Sequence, residues 1–115
     1  MLLVSAGSRR ALLTGDLAPP GVQMLLDEPP IDCDVLVAPH HGSRSSNPTG
    51  LIDWCRPECV IVSGSPSQGT RLNAPPGVCV YHTAVAGAIV VRLPVVPNSF
   101  GTFPPPSVTA IRVPP

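Results

Sequence analysis

The sequence predicts an α/β fold built on a mixed sheet with short helices. Two apolar runs, residues 34–38 and 59–64, have the continuous hydrophobic pattern of strands that are buried on both faces. Each run follows a short segment in which proline precedes apolar residues at helical spacing. With 115 residues, the chain has enough length for one hydrophobic core. Strands that alternate with helices are typical of a layered α/β domain.

The N-terminal residues predict a hairpin followed by a helix. The segment MLLVSAGSRRALLTGD contains two apolar runs around a turn at residues 6–8, and the second run ends at Gly15 and Asp16. A helix is expected within APPGVQMLLDE, where prolines suit a first turn and the pair 29–30 ends the helix. The next strand, DVLVA, leads directly into a loop.

The second half of the chain predicts one more helix, one more buried strand and a second hairpin. Asn47 and Pro48 have the pattern of an N-cap and first residue of the helix PTGLIDWC, and the strand CVIVSG follows. Residues 65–77 are expected to form a loop. VCVYHT and AIVVRL are expected to pair across the turn AVAG. We therefore assign residues 1–93 to the domain and residues 94–115 to an irregular, Pro-rich tail.

Composition excludes several classes of protein. The formal net charge is zero and the seven arginines are scattered, so the chain carries no basic footprint for a nucleic-acid backbone. No apolar run approaches the length that spans a bilayer, and the N-terminus lacks the apolar core of a signal peptide. Without a secretory signal, the four cysteines are expected to be thiols rather than a disulfide framework.

Candidate functional residues follow the ends of two predicted strands. Asp16 ends one strand, and His40 and His41 follow the next. Carboxylate and imidazole are ligands that bind zinc or manganese, and the carboxyl ends of parallel strands are the usual edge for ligand sites. A Gly-Asp pair is also a common turn, and a surface loop often carries histidines without a site role. The following loop contains candidate substrate-binding residues, because serine hydroxyls can donate to a phosphate and a guanidinium adds a cationic contact. These residues are Ser43, Arg44, Ser45 and Ser46.

Four motifs together resemble a known family. ALLTGDL, DVLVAPHHGSRSSNP, LIDWCRPECVIVSG and VYHTAVAGAIVVRL occur in this order over residues 2–93. They resemble the second half of the metallo-β-lactamase-like domain that ends ComEC-type DNA-uptake (competence) proteins. In that pattern one strand ends in L-T-G-D, the next ends in H-H-G-S, and a V-Y-x-T…G-A-I segment closes the domain. The Pro-rich tail lies outside the resemblance.

The resemblance implies a fold, a chemistry and residue roles. The fold would be half of an αββα sandwich, and the ancestral activity would be metal-dependent hydrolysis of a phosphodiester in nucleic acid. Asp16 matches the carboxylate that bridges two metals, and the pair of His40 and His41 matches the last metal-binding histidine. We favour His40, which follows the strand more directly, and leave His41 open. DNA would be a partner of the full-length protein, and the domain would be the soluble C-terminal part of an inner-membrane protein.

The pattern departs from the family at the metal ligands. The H-x-H-x-D-H loop, expected upstream of Asp16, is not in the chain, and SQGTRLNAPPG replaces a segment that often contains histidine. The remaining histidine, His82, is interpreted as structural. Two or three ligands do not make a two-metal centre. We therefore expect a C-terminal fragment that is inactive by itself, binds metal weakly or not at all, and has the missing N-terminal half as a partner.

Two alternatives remain at this point. In the first, the chain is a non-catalytic interaction module, and its tail segment FPPPSV binds a groove of a partner protein that recognises polyproline. In the second, Cys55 and Cys59 of CRPEC are ligands of a small zinc domain.

Overall fold

The computed structural model describes residues 1–65, 72 and 74–111. The predicted α/β class is confirmed, with a five-stranded mixed sheet, a two-stranded sheet and short helices. In chain order the elements are β1 (Leu2–Ala6), β2 (Arg9–Leu13), α1 (Gly21–Leu26), β3 (Val35–Val37), α2 (Thr49–Cys55), β4 (Cys59–Val62), β5 (Cys79–His82), α3 (Thr83–Ala86), β6 (Ala88–Arg92) and β7 (Ser107–Ile111).

The main sheet has its strands in chain order, β1 to β5. β1 is antiparallel to β2, whereas β2, β3, β4 and β5 are mutually parallel. Parallel strands need crossover connections, which α1 and α2 provide. As a consequence, the carboxyl ends of β2 and β3 lie at the same edge of the sheet.

Each face of the main sheet has its own apolar cluster. On one face, Leu36 of β3 and Val60 of β4 pack against Leu51 and Trp54 of α2. The indole Nε1 of Trp54 also donates to the carbonyl of Glu28, 2.9 Å away, which holds α2 beside the end of α1. The residues that alternate with Leu36 and Val60, namely Val35, Cys59 and Ile61, are buried on the opposite face. Both faces of β3 and β4 are therefore buried, which explains why these strands are continuously apolar in sequence.

A small second sheet covers the opposite face. β6 and β7 pair in antiparallel register, and Ile89, Val91 and Val108 pack near Val35 and Ile61 of the main sheet. The molecule is therefore layered as helices, main sheet and second sheet.

Two expectations for the second half of the chain are wrong. The predicted hairpin between VCVYHT and AIVVRL does not form, because β5 joins β4 in parallel and β6 pairs with β7. The expected turn AVAG is part of α3, which takes the chain from one sheet to the other. The tail is not irregular throughout, because Ser107–Ile111 is a strand. The expected loop over residues 65–77 includes residues 66–71 and 73, which lie outside the described residues.

A buried arginine attaches the Pro-rich segment to the domain. Arg9 is 6% exposed; its Nη1 lies 2.9 Å from Oδ1 of Asp34, and its Nε donates to the carbonyl of Pro94 at 3.0 Å. Nη2 donates to the carbonyl of Pro104, and the guanidinium lies 5.5 Å from the ring centroid of Phe103. Phe103 and Pro104 of the FPPPSV segment, which is a ligand of a polyproline-binding partner in the first alternative above, thus make contacts within the chain. Among the described residues, no helix has the length and hydropathy to cross a bilayer.

Candidate functional site

The candidate site lies where β2 and β3 end. The hydroxyl of Thr14 donates to the carbonyl of Val37 at 2.6 Å, and the backbone N–H of His40 donates to the carbonyl of Gly15 at 2.9 Å. These two hydrogen bonds join the loop that carries Asp16 to the loop that carries the histidines. The spatial relation between the loops is therefore fixed by one side-chain-to-backbone hydrogen bond and one backbone hydrogen bond.

The histidine loop contains a left-handed turn. His40 has φ 49° and ψ 49°, and His41 has φ 57° and ψ 28°. Gly42 follows with φ 79°. A left-handed conformation costs a residue with a Cβ roughly 1–2 kcal/mol, and it normally occurs at single positions. Two consecutive histidines in this conformation indicate that the surrounding structure imposes the turn, which is a feature that clusters at functional sites.

Close packing below the turn requires glycine at position 42. A Cβ on Gly42 would lie 2.7 Å from Cγ1 of Val62 on β4. Such an approach is shorter than any normal carbon–carbon contact. The glycine therefore serves both the backbone conformation and the close approach to the sheet.

Asn47 stabilises the histidine loop from below. Its side-chain nitrogen donates to the carbonyl of Pro39 at 3.0 Å and to the carbonyl of Ser43 at 2.6 Å, one at each side of the turn. The predicted N-cap role of Asn47 is wrong, because Pro48 occupies the N-cap position of α2 without a side-chain cap. Sequence reasoning missed this loop-bracing role, since an Asn before Pro is a stronger signal for a helix start.

Asp16 and His41 face each other at this edge. Oδ1 of Asp16 lies 3.8 Å from Nε2 of His41, and the two side chains are 84% and 49% exposed. Nδ1 of His41 lies 2.8 Å from the carbonyl oxygen of Ser63. Because a carbonyl oxygen only accepts, Nδ1 donates to Ser63, and Nε2 is the ring nitrogen that lies nearest to Asp16.

His40, the histidine that we favoured on sequence grounds, contacts the loop of Asp16 through its backbone. Its backbone N–H, rather than its imidazole, is bonded to the loop of Asp16. The ring centroids of the two histidines are 6.3 Å apart. The geometry thus favours His41 over His40 as the partner of Asp16.

The four predicted substrate-binding residues separate into two groups. Arg44 and Ser45 are exposed and are available to a ligand at this surface. Ser46 is completely buried, so its hydroxyl does not face this surface. The hydroxyl oxygens of Ser43 and Ser46 and Oδ1 of Asn47 are buried and have no partner among the described residues. Such groups reduce stability, and natural proteins keep few of them.

The metal donors at this edge are suitable in type but too few in number. Within residues 1–65, 72 and 74–111, no group of three or more His, Cys, Asp or Glu residues is placed to hold a metal ion. The alternative cysteine site is also not assembled, because Cys55 belongs to the helix-side cluster and Cys59 to the cluster on the opposite face. Of the described residues at this edge, Asp16 and His41 thus form a pair of donors.

Comparison of the chain with protein-family models, curated proteins and solved structures found no match. Function is therefore inferred from the residues and their placement. Two features distinguish this edge of the sheet: the left-handed turn and the pair formed by Asp16 and His41.

Proposed function

We propose that this chain is the second half of a metallo-β-lactamase-like hydrolase domain of the ComEC type. In this proposal Asp16 and His41 are two of the metal ligands. The remaining ligands come from a polypeptide that carries H-x-H-x-D-H. The reaction is metal-dependent hydrolysis of a phosphodiester in nucleic acid, and this chain is inactive by itself.

One observation carries the proposal: Nε2 of His41 lies 3.8 Å from Oδ1 of Asp16 at the carboxyl ends of neighbouring parallel strands. Histidines that bind metals usually donate their other ring N–H to a carbonyl or carboxylate, which fixes the tautomer. The contact from Nδ1 of His41 to the carbonyl of Ser63 is of this kind. A turn that places two residues in left-handed conformation is a cost to stability, which a role in ligand binding would explain.

The layers of the fold also support the proposal. Helices cover one face of the main sheet, and strands of a second sheet lie on the other face. This order of layers agrees with one half of an αββα sandwich.

The residues of this chain have separable roles in the proposed reaction. Asp16 and His41 hold the metal, and the carbonyl of Ser63 orients the ring of His41. Arg44, which is exposed on the same loop, contacts a phosphate of the substrate. When bound, zinc or manganese supplies Lewis-acid activation of water. With only two donors, the chain lacks the three protein ligands that a catalytic zinc site usually has.

The proposal is tested by complementation. A polypeptide that carries H-x-H-x-D-H is mixed with the full chain, and Mn²⁺-dependent cleavage of single-stranded DNA and of bis(p-nitrophenyl) phosphate is measured. We expect cleavage only in the mixture, with a loss of roughly 100-fold or more for Asp16→Ala and for His41→Ala. Asp53→Ala, which removes an exposed carboxylate of α2, is the matched control and retains activity. Full activity of the Asp16→Ala mixture would overturn the proposal.

A further inference from the structure

Cys33 and Cys55 meet in the core on the helix-covered face of the main sheet. Cys33 precedes β3 and is 5% exposed, and Cys55 ends α2 and is completely buried. Both thiols are free in the structure. The backbone N–H of Cys33 donates to the carbonyl of Cys55 at 2.9 Å, so the main chains of the two residues are in direct contact.

The thiols interact with each other as well. A hydrogen bond to the sulfur of Cys55, together with burial, raises the pKa of Cys33. The same hydrogen bond lowers the pKa of Cys55, against an opposing effect of burial. The side chains of Cys33 and Cys55 are therefore neighbours, as their main chains are. The backbone hydrogen bond of 2.9 Å brings the main chains of the two residues close together, and a disulfide needs Cα atoms roughly 4.4–6.8 Å apart.

The other two cysteines provide a contrast. Cys59 and Cys79 are register partners on the parallel strands β4 and β5. Side chains at such positions stand roughly perpendicular to the sheet and side by side, with Cβ atoms about 5 Å apart. A disulfide needs Cβ atoms about 3.8 Å apart. This pair therefore requires the strands to move before a bond forms, although Cys79 is the most exposed cysteine of the chain.

Cys33 is also the member of its pair that lies beside an open cavity. It lines an open cavity of about 440 Å³ at the amino ends of the parallel strands. Arg10, Arg56, Asp32 and Glu58 line the same cavity, so its wall is polar and accessible to water. Solvent-accessible space therefore reaches Cys33, whereas Cys55 is completely buried.

We propose that Cys33 and Cys55 are a site of reversible disulfide formation, and that a low-molecular-weight disulfide is the oxidant. A thiolate of the pair attacks one sulfur of the small disulfide, which forms a mixed disulfide and releases one small thiolate. The second cysteine loses its proton to solvent and attacks the protein sulfur of the mixed disulfide, which releases the second small thiolate. The protein dithiol loses two electrons and two protons, and the small disulfide becomes two thiols.

The bond would close a loop that contains the whole histidine turn. Residues 34–54 lie between the two cysteines and include His41, Asn47 and most of α2. A closed loop of this length reduces the conformational entropy of the unfolded chain. Oxidation is therefore expected to stabilise the folded state that holds the candidate site, whether or not the site has the hydrolytic function proposed above.

The test uses the full chain in glutathione buffers of increasing oxidised fraction. Free thiols are trapped by alkylation, and the proteolytic peptides are analysed by mass spectrometry. We expect a peptide that links Cys33 to Cys55, and an increase in Tm on the order of 10 °C on oxidation. The double variant Cys59→Ala, Cys79→Ala should form the same bond and show the same increase.

Cys33→Ala is the matched negative variant and should show no change in Tm between reducing and oxidising buffers. If this variant fails to fold, the double variant decides the question alone, because it has no other cysteines. The proposal is overturned if Cys33 and Cys55 are both alkylated at the most oxidising ratio. It is also overturned if the linked peptide of the native chain contains Cys79.

Discussion

The two ends of the parallel sheet use charged residues in opposite ways. At the amino end, Arg9 is 6% exposed and contacts Asp34, two backbone carbonyls and an aromatic ring. At the carboxyl end, Asp16 is 84% exposed, and His41 is 49% exposed and has a ring nitrogen directed at Asp16. The first cluster is saturated with partners, whereas the second leaves donors available to a ligand.

The two ends of the sheet also differ in backbone geometry, and the strained turn lies at the end with the exposed Asp16 and His41. The carboxyl end has two consecutive histidines in left-handed conformation, and it has buried polar atoms without a hydrogen-bond partner in the described part of the chain. Features of this kind cost stability, so a structural role does not explain them. In this comparison the residues of the amino end maintain the fold, and the carboxyl end is where we propose that a ligand binds.

The largest expected effect is the loss of the buried guanidinium. Arg9→Met leaves Asp34 without its ion-pair partner and two carbonyls without a donor, and we expect the free energy of unfolding to fall by about 3 kcal/mol or more. Urea denaturation measures the change. Arg10→Met, at an exposed neighbouring position, is the control and should change stability by less than about 0.5 kcal/mol. Equal effects of the two variants would remove the distinction between the ends.

The next effect concerns the packing below the histidine turn. Gly42→Ala places a Cβ 2.7 Å from Val62 in a residue with φ 79°, and we expect a loss of roughly 2–4 kcal/mol. Gly15→Ala is the matched control, because Gly15 has φ 59° but no atom within 4 Å of an added Cβ. The control should lose only about 1 kcal/mol, from the backbone conformation alone. A smaller loss for Gly42→Ala than for Gly15→Ala would show that the turn is loosely packed.

A third effect is a dependence of stability on alkaline pH at the amino end of β4. Burial raises the pKa of Cys59 from the ordinary thiol value of 9.0 to about 11. The folded state thus favours the neutral thiol over the thiolate. The contribution of Cys59 to the free energy of unfolding is therefore fully present below pH 9 and is lost as the pH rises to about 11. The loss is about 2–3 kcal/mol, and the Cys59→Ala chain should lack it. Denaturation curves of both chains at several pH values measure the difference, and parallel curves would contradict the expected contribution.

The smallest effect has the opposite sign. His40→Gly removes a Cβ from a left-handed position, and we expect an increase in stability of roughly 0.5–1 kcal/mol. Arg56→Gly is the comparison, because Arg56 has φ 43° as the C-cap of α2 at the other end of the sheet. There a left-handed residue is an ordinary helix ending. Thermal unfolding measures both variants, and a loss of more than about 1 kcal/mol for His40→Gly would show that its imidazole has a structural role.

Sequence patterns predicted local elements well and their partners less well. The first hairpin, α1, α2, β3 and β4 follow from apolar periodicity and proline, which act over a few residues. The pairing of β5 with β4, and of β6 with β7, depends on which apolar surfaces remain uncovered after the core has formed. That information is not local, so the second hairpin was predicted wrongly.

The candidate site shows the same division. Asp16 and the two histidines were found from their position after predicted strands. The choice between His40 and His41 depends on a turn whose dihedral angles follow from contacts with Val62, Gly15 and Asn47. The bracing role of Asn47 likewise depends on carbonyls that only the folded loop brings together.

The most direct test of the central claim is line broadening by Mn²⁺ in the NMR spectrum of the full chain. A paramagnetic ion broadens nearby signals even when it binds weakly, so two donors suffice for detection. We predict that the amide signals of Asp16, His41 and Gly42 broaden first, and that Asp16→Asn abolishes this effect. Broadening that begins instead at Asp32, Asp34 and Glu58, at the amino end of the sheet, would contradict the claim.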